Sequence, residues 1–310
     1  MKKRSLFVFL TLATMLAVIP LSGFAQVAPG KTTGSKTIVV TYAVLGSIVK
    51  DLVGDACEVH VMIPNGLDPH EWEPSARDVE ALMKADMIVQ NGLGLEEGLQ
   101  NSLAQAKDRG IKFFTASDHI KVRKVGPGEG LPTGDPDQAE GAEDPHLWMD
   151  PVDMKQVVAA LAEQIKADLG IDLSTRAAGL EKALDQLNRE VSSLCASIPQ
   201  ADRKLVTGHE SMGYFAQRYG FKLVGAVIPS LSTEAAVSAA DMANLKKQIQ
   251  ENQVKAIFTE LGTPRDVVDA ISAETGVKVV QLTTHSLPKG GWSYFIFMRD
   301  IAKTITGALK

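Results

Sequence analysis

STRAAGLEKALDQLNREVSSLCAS, residues 174–197, sets the architecture of this 310-residue chain. Leu180, Leu184, Leu187, Val191 and Leu194 step by four, three, four and three, which places them on one stripe of a single long helix. Ser174 is a suitable N-cap, and Pro199 stops the element. A preceding helix over 154–169 ends at Gly170.

On either side of this pair, strand-like runs alternate with helical ones. The first set has strands over 37–42, 58–63, 87–91 and 112–114, with helices over 45–53, 76–84 and 96–109. The second has strands over 204–206, 222–227, 256–259 and 278–282, with helices over 211–219, 235–252, 265–275 and 294–308. Such alternation implies parallel sheets covered by helices. The expected fold is therefore α/β, with an N-terminal lobe over 37–172, a linking helix over 173–199 and a C-terminal lobe over 200–310. The alternative is an ordinary long helix inside one larger domain, because periodicity does not locate domain boundaries.

Residues 1–25 read as a signal peptide. Lys2, Lys3 and Arg4 form a basic start, an apolar run follows from Leu6 to Leu21, and Gly23-Phe24-Ala25 offers a small-x-small cleavage site. The apolar run is short for a spanning helix, and Pro20 interrupts it. With no cysteine near the cleavage site, the expectation is a periplasmic or extracytoplasmic protein without a lipid anchor. Residues 26–36 are small and polar and read as a flexible leader. Loss of the three basic residues with the signal peptide moves the formal charge from −5 to −8. That argues against a nucleic-acid partner, which calls for a basic face. Cys57 and Cys195 are too few for a disulfide scaffold, and whether they pair is open.

Two stretches repeat a phrase: Asp68-Pro69-His70-Glu71-Trp72 and Asp144-Pro145-His146-Leu147-Trp148. Proline stiffens the turn before each histidine. Two imidazoles on rigid loops suggest two ligands brought to one metal ion; the plainer reading is a recurring surface turn. His209 and His285 extend the set, since all four histidines lie after the carboxyl ends of expected strands, where open α/β sheets bind ligands. If the two lobes face each other, the four rings converge in the cleft and suit tetrahedral zinc. His209 could instead serve a helix start, and His285 a turn among Thr283, Thr284 and Ser286. His60, within a strand, and His119, in a loop, are left out.

Residues 126–144 carry six acids and no base, with many glycines and prolines. A mobile, solvated loop is expected there. Enzymatic readings fare poorly. Neither His70-Glu71 nor His209-Glu210 continues into H-E-x-x-H, and Gly92-Leu93-Gly94 has Glu97 where a dinucleotide loop needs its third glycine. No P-loop lysine motif or nucleophile elbow is present.

Larger blocks carry a resemblance. Pro64-Asn65-Gly66-Leu67-Asp68-Pro69-His70-Glu71-Trp72-Glu73-Pro74-Ser75, Asn91-Gly92-Leu93-Gly94-Leu95-Glu96, Asp144 through Pro151, Gly208-His209 through Ala216, Phe258-Thr259-Glu260 and Ser293-Tyr294-Phe295 form a pattern that spans about Thr37 to Ala308. It resembles the metal-binding solute-binding proteins of ATP-binding-cassette importers of the zinc and manganese class. The resemblance implies two lobes joined by a rigid helix, one metal in the interlobe cleft, no catalysis, a membrane permease as partner and a monomeric carrier. It also implies ligands at His70, His146 and His209, the third being histidine in zinc-type members and usually glutamate in manganese-type ones. The family's fourth ligand is commonly an aspartate; here that position falls on His285. Either His285 completes a four-histidine zinc site, or water or Glu71 completes the shell. A manganese or iron carrier is the near alternative. A secreted zinc-dependent hydrolase and an adhesin are the distant ones.

Overall fold

Six residues, TIVVTY, form strand β1 (Thr37–Tyr42) and are buried from the second onward. β-Branched side chains on both faces suit a strand covered by helices on each side. Strands β2 (Glu58–Ile63), β3 (Met87–Gln90) and β4 (Lys112–Thr115) complete a parallel sheet in the order β2-β1-β3-β4. Val39 sits opposite both His60 and Ile88, which fixes the register at the sheet centre. A second parallel sheet has strands β5 (Lys204–Thr207), β6 (Lys222–Ala226), β7 (Ala256–Thr259) and β8 (Lys278–Gln281), in the order β6-β5-β7-β8. Each order reverses beside its first strand, and that is where such sheets leave a crevice at their carboxyl ends.

The computed structural model describes residues 35–129, 139–289 and 291–310, and residues 35–310 form one unit. The signal peptide, most of the leader and the centre of the acidic loop lie outside the described residues. Helices α1 (Ala43–Val53), α2 (Ala76–Leu82) and α3 (Gln100–Asp108) belong to the first sheet. Helix α4 (Pro151–Leu169) begins three residues before the apolar periodicity suggests. The Asp150 carboxylate caps it by accepting the Val152 N–H at 2.8 Å, and Pro151 occupies the first turn.

Helix α5 (Ser174–Ala196) runs 23 residues, about 35 Å at 1.5 Å per residue. It buries Leu180, Leu184, Leu187 and Val191 against α4, α1 and the last helix. Ser174 is its first helical residue and not its cap: Leu173 holds that place, and Asp172 accepts the Ser174 N–H at 3.0 Å. Helices α6 (Gly213–Tyr219), α7 (Ala239–Glu251), α8 (Arg265–Thr275) and α9 (Tyr294–Leu309) cover the second sheet. A capping box between Ser238 and Asp241 starts α7 four residues later than expected.

One apolar cluster runs from α1, β1 and β3 through α4 and α5 to α9 and Phe258. A smaller one lies on the other face of the second sheet, where Val206 and Ile257 meet Leu245, Ile249, Val268 and Ile271. Cys57 and Cys195 are buried in the larger cluster and unpaired. The flanks of the acidic loop are tied together: Val125 and Ala142, Gly141 and Val125, and Asp144 and Arg123 exchange backbone hydrogen bonds at 2.9 Å. Among the described residues no helix is long and apolar enough to cross a membrane.

Candidate metal centre

The repeated Asp-Pro-His phrase folds twice into the same turn. Asp68 Oδ1 accepts the backbone N–H of His70 at 3.0 Å, and Asp144 Oδ1 accepts that of His146 at 2.9 Å. An aspartate that bonds the amide two residues on, with proline between, forms an Asx turn and fixes where the histidine departs. His70 follows β2, while His146 ends the acidic loop and leads into a 3-10 turn over Leu147–Met149. His209 follows β5 and His285 follows β8. Gly208 lets His209 approach the loop after β7, because a Cβ there would lie 2.1 Å from Thr263 Oγ1.

These four loops, two from each sheet, bring four imidazoles together. One nitrogen from each of His70, His146, His209 and His285 lies within 4.8 Å of all the others. His146 Nε2 is 3.4 Å from His70 Nε2 and 3.1 Å from His209 Nε2. All four side chains are buried. Tetrahedral zinc with bonds of about 2.0–2.1 Å has nitrogen–nitrogen edges of about 3.3–3.4 Å, so the short separations match such a polyhedron.

The outward-facing nitrogens lie beside oxygen atoms. His146 Nδ1 lies 2.9 Å from Asp144 Oδ1, and His209 Nδ1 lies 2.8 Å from Glu260 Oε1. His70 Nδ1 lies 3.4 Å from Glu97 Oε1. His285 Nδ1 is 2.9 Å from Thr284 Oγ1, whose hydroxyl donates to Glu260 Oε2, so the ring donates to the threonine. With Nδ1 of His146 and His285 hydrogen-bonded on the outside, their Nε2 atoms are left to face the centre of the group. Lone pairs facing one another repel, and a cation between them turns that repulsion into ligation. His285 Nε2 is buried and has no hydrogen-bond partner in the protein.

Electrostatics divides the rings. Burial, reinforced by the other rings, holds His146 well below the ordinary imidazole range and His285 at about 3. His209 moves the other way. Burial is the strongest single influence and works to lower it, but the Glu260 carboxylate outweighs it and raises it. The same attraction, working against burial, brings Glu260 down to about 2. Burial pushes Asp144 up to about 6 against the pull of Arg123, whose Nη1 lies 3.1 Å from Asp144 Oδ2.

Glu71 is exposed and outside the group. His60 is exposed on β2, and His119 stacks on Phe114 at 4.5 Å. Glu97, Asp144, Glu260 and Thr284 have roles that residue types alone did not give. The aspartate two residues before His70 and His146 was the one available signal.

The family model described as "Zinc-uptake complex component A periplasmic" matches residues 38–308. The chain belongs to this family. It is a metal-binding substrate-binding protein of an ATP-binding-cassette importer, not an enzyme. Two relatives are each 28% identical. The manganese ABC transporter substrate-binding lipoprotein PsaA of Streptococcus pneumoniae aligns over 96% of this chain and 99% of its own length. The iron ABC transporter substrate-binding lipoprotein MtsA of Streptococcus pyogenes serotype M1 aligns over 90% and 93%. The solved periplasmic zinc binding protein TroA of Treponema pallidum superposes with a TM-score of 0.75 at 27% identity, covering 89% of this chain and 99% of that one.

These family members correct one expectation. The chain was expected to carry no lipid anchor, yet the relatives are lipoproteins by name. That expectation rested on the missing cysteine near Ala25 alone. Residues 1–34 lie outside the described part of the structure.

Proposed function

We propose that this protein captures zinc at His70, His146, His209 and His285 and hands it to the permease of its importer. The observation that carries this reading is an all-nitrogen donor set, with a carboxylate or hydroxyl within 3.4 Å of each outward-facing nitrogen. Imidazole suits zinc, whereas manganese prefers carboxylate and water oxygen. Carboxylates behind ligating histidines orient the rings and raise their basicity. Zinc is also the metal in the family description and in the name of TroA.

All four histidines come from one chain, so the working unit is the monomer. Residues 37–172 and 200–310 act as the two lobes and 173–199 as the helix between them. The names of PsaA and MtsA favour a second reading, manganese or iron as cargo.

A competition titration of metal-free protein separates the two readings. Trp148 reports loading, because its ring lies 5.3 Å from that of His146 and 5.5 Å from that of His285. Zinc displacing manganese at one ion per chain supports the proposal. Manganese or iron holding the site against zinc would count against it.

A further inference from the structure

Three of the four histidines are walled in from behind. His146 and His285 face the fully buried Trp148, whose Nε1 donates to Thr284 O at 2.9 Å and whose carbonyl accepts from Tyr294 Oη at 2.7 Å. His209 is backed by Glu260, which also accepts from Ser211 Oγ. An ion coming from that side would have to displace a pinned tryptophan or a buried ion pair.

The side of His70 differs. A cavity of about 240 Å³ has His70 on its wall, together with Glu97, Gln100, Glu143, Leu93 and Ser232, and with none of the other three histidines. His70 is 2% exposed, and its Nδ1 has no hydrogen-bond partner of good geometry. Two carboxylates stand on the same wall: Glu97, 3.4 Å from that nitrogen, and Glu143, 3.2 Å from Lys124 Nζ. A hydrogen bond spans the cavity between the loops of the two sheets, from Ser232 Oγ to Glu97 Oε1 at 2.8 Å. Leu93, at φ 58, occupies the left-handed region between two glycines. A leucine held there is strained, and such strain recurs where loops shape a site.

We propose that this cavity is the port through which a divalent cation reaches the four-histidine centre, with Glu97 and Glu143 as the encounter carboxylates and His70 as the first ring met. The inference rests on the metal-capture reading above. It carries a kinetic signature. A port alters how fast the ion passes in both directions, and it leaves the depth of the final site unchanged. Negative side chains at its rim attract the cation and make association depend on ionic strength.

The test uses the full-length chain with zinc alone and a chromophoric chelator as acceptor. Gln100→Trp places bulk at the port on an exposed position that holds no ligand. Association and dissociation should both slow by about tenfold, with the dissociation constant unchanged. Glu143→Gln, a surface change that should fold normally, should slow association by about two- to threefold at low salt and flatten its salt dependence. Wild-type rates in both variants would overturn the proposal, as would a change confined to dissociation. Failure of the wild-type protein to bind zinc at equilibrium would instead overturn the capture reading on which it rests.

Discussion

His146 and His209 meet at 3.1 Å between Nε2 atoms, although one follows the first sheet and the other the second. Each is held from behind by its own carboxylate, Asp144 at 2.9 Å and Glu260 at 2.8 Å. Two imidazoles pressed together by two anions across a chain separation of 63 residues are set up to share a cation.

His285 supplies the fourth nitrogen, and its replacement should change the preferred metal. His285→Asp introduces an oxygen donor and a negative charge. Zinc affinity should fall by about 10–100-fold while manganese affinity rises, so the ratio of the two narrows by orders of magnitude. Parallel titrations of both metals on the variant and the parent check this. An unchanged ratio would place His285 outside the ligand set.

Glu260 acts through His209. Glu260→Gln keeps the size and one acceptor but removes the charge that raises the His209 pKa and favours its ligation. The expected loss is about 10–100-fold in zinc affinity, the scale for groups that orient a ligand. The His209 titration followed by NMR should move to lower pH in the same variant. An affinity equal to the parent's would show that the carboxylate serves folding alone.

The pH dependence follows from the divided rings. His146 and His285 are held neutral by burial, so metal displaces no proton from them in the ordinary imidazole range. His209, raised by Glu260, carries a proton that zinc must expel. Below its pKa, each displaced proton costs about tenfold in affinity per pH unit. As pH falls through the ordinary imidazole range, zinc affinity should therefore drop with a slope well short of four. Calorimetry in buffers of different ionisation enthalpy counts the protons directly, and a release of four would contradict the electrostatics described here.

Arg123 ties the acidic loop to the centre. Its Nη1 pairs with Asp144, and its Nη2 contacts Glu129. Arg123→Met leaves the fully buried Asp144 without its cation. Breaking a buried pair in this way costs about 3–5 kcal/mol. Urea unfolding of the metal-free variant should show a loss of that order, and a loss under 1 kcal/mol would mean that solvent reaches Asp144.

Much of the fold was legible because its signals are local. The four-three stepping of Leu180 to Leu194 specifies a helix, and runs such as TIVVTY specify central strands, whatever surrounds them. The helix starts were misplaced where a cap overrides periodicity, as at Asp150 and Ser238. The four histidines could be read from their common place after strand ends. Their supports could not: Glu97, Glu260 and Thr284 act only through distances that depend on how the two sheets are brought together. Asp144 is the exception, because its turn lies within two residues of His146.

The most direct test of the four-histidine centre is X-ray absorption spectroscopy of the zinc-loaded protein. The account predicts a first shell of four nitrogens at about 2.0–2.1 Å with the outer-shell scattering of imidazole rings. A five- or six-coordinate shell containing oxygen, or fewer than four imidazoles, would contradict it and return the fourth position to water or a carboxylate.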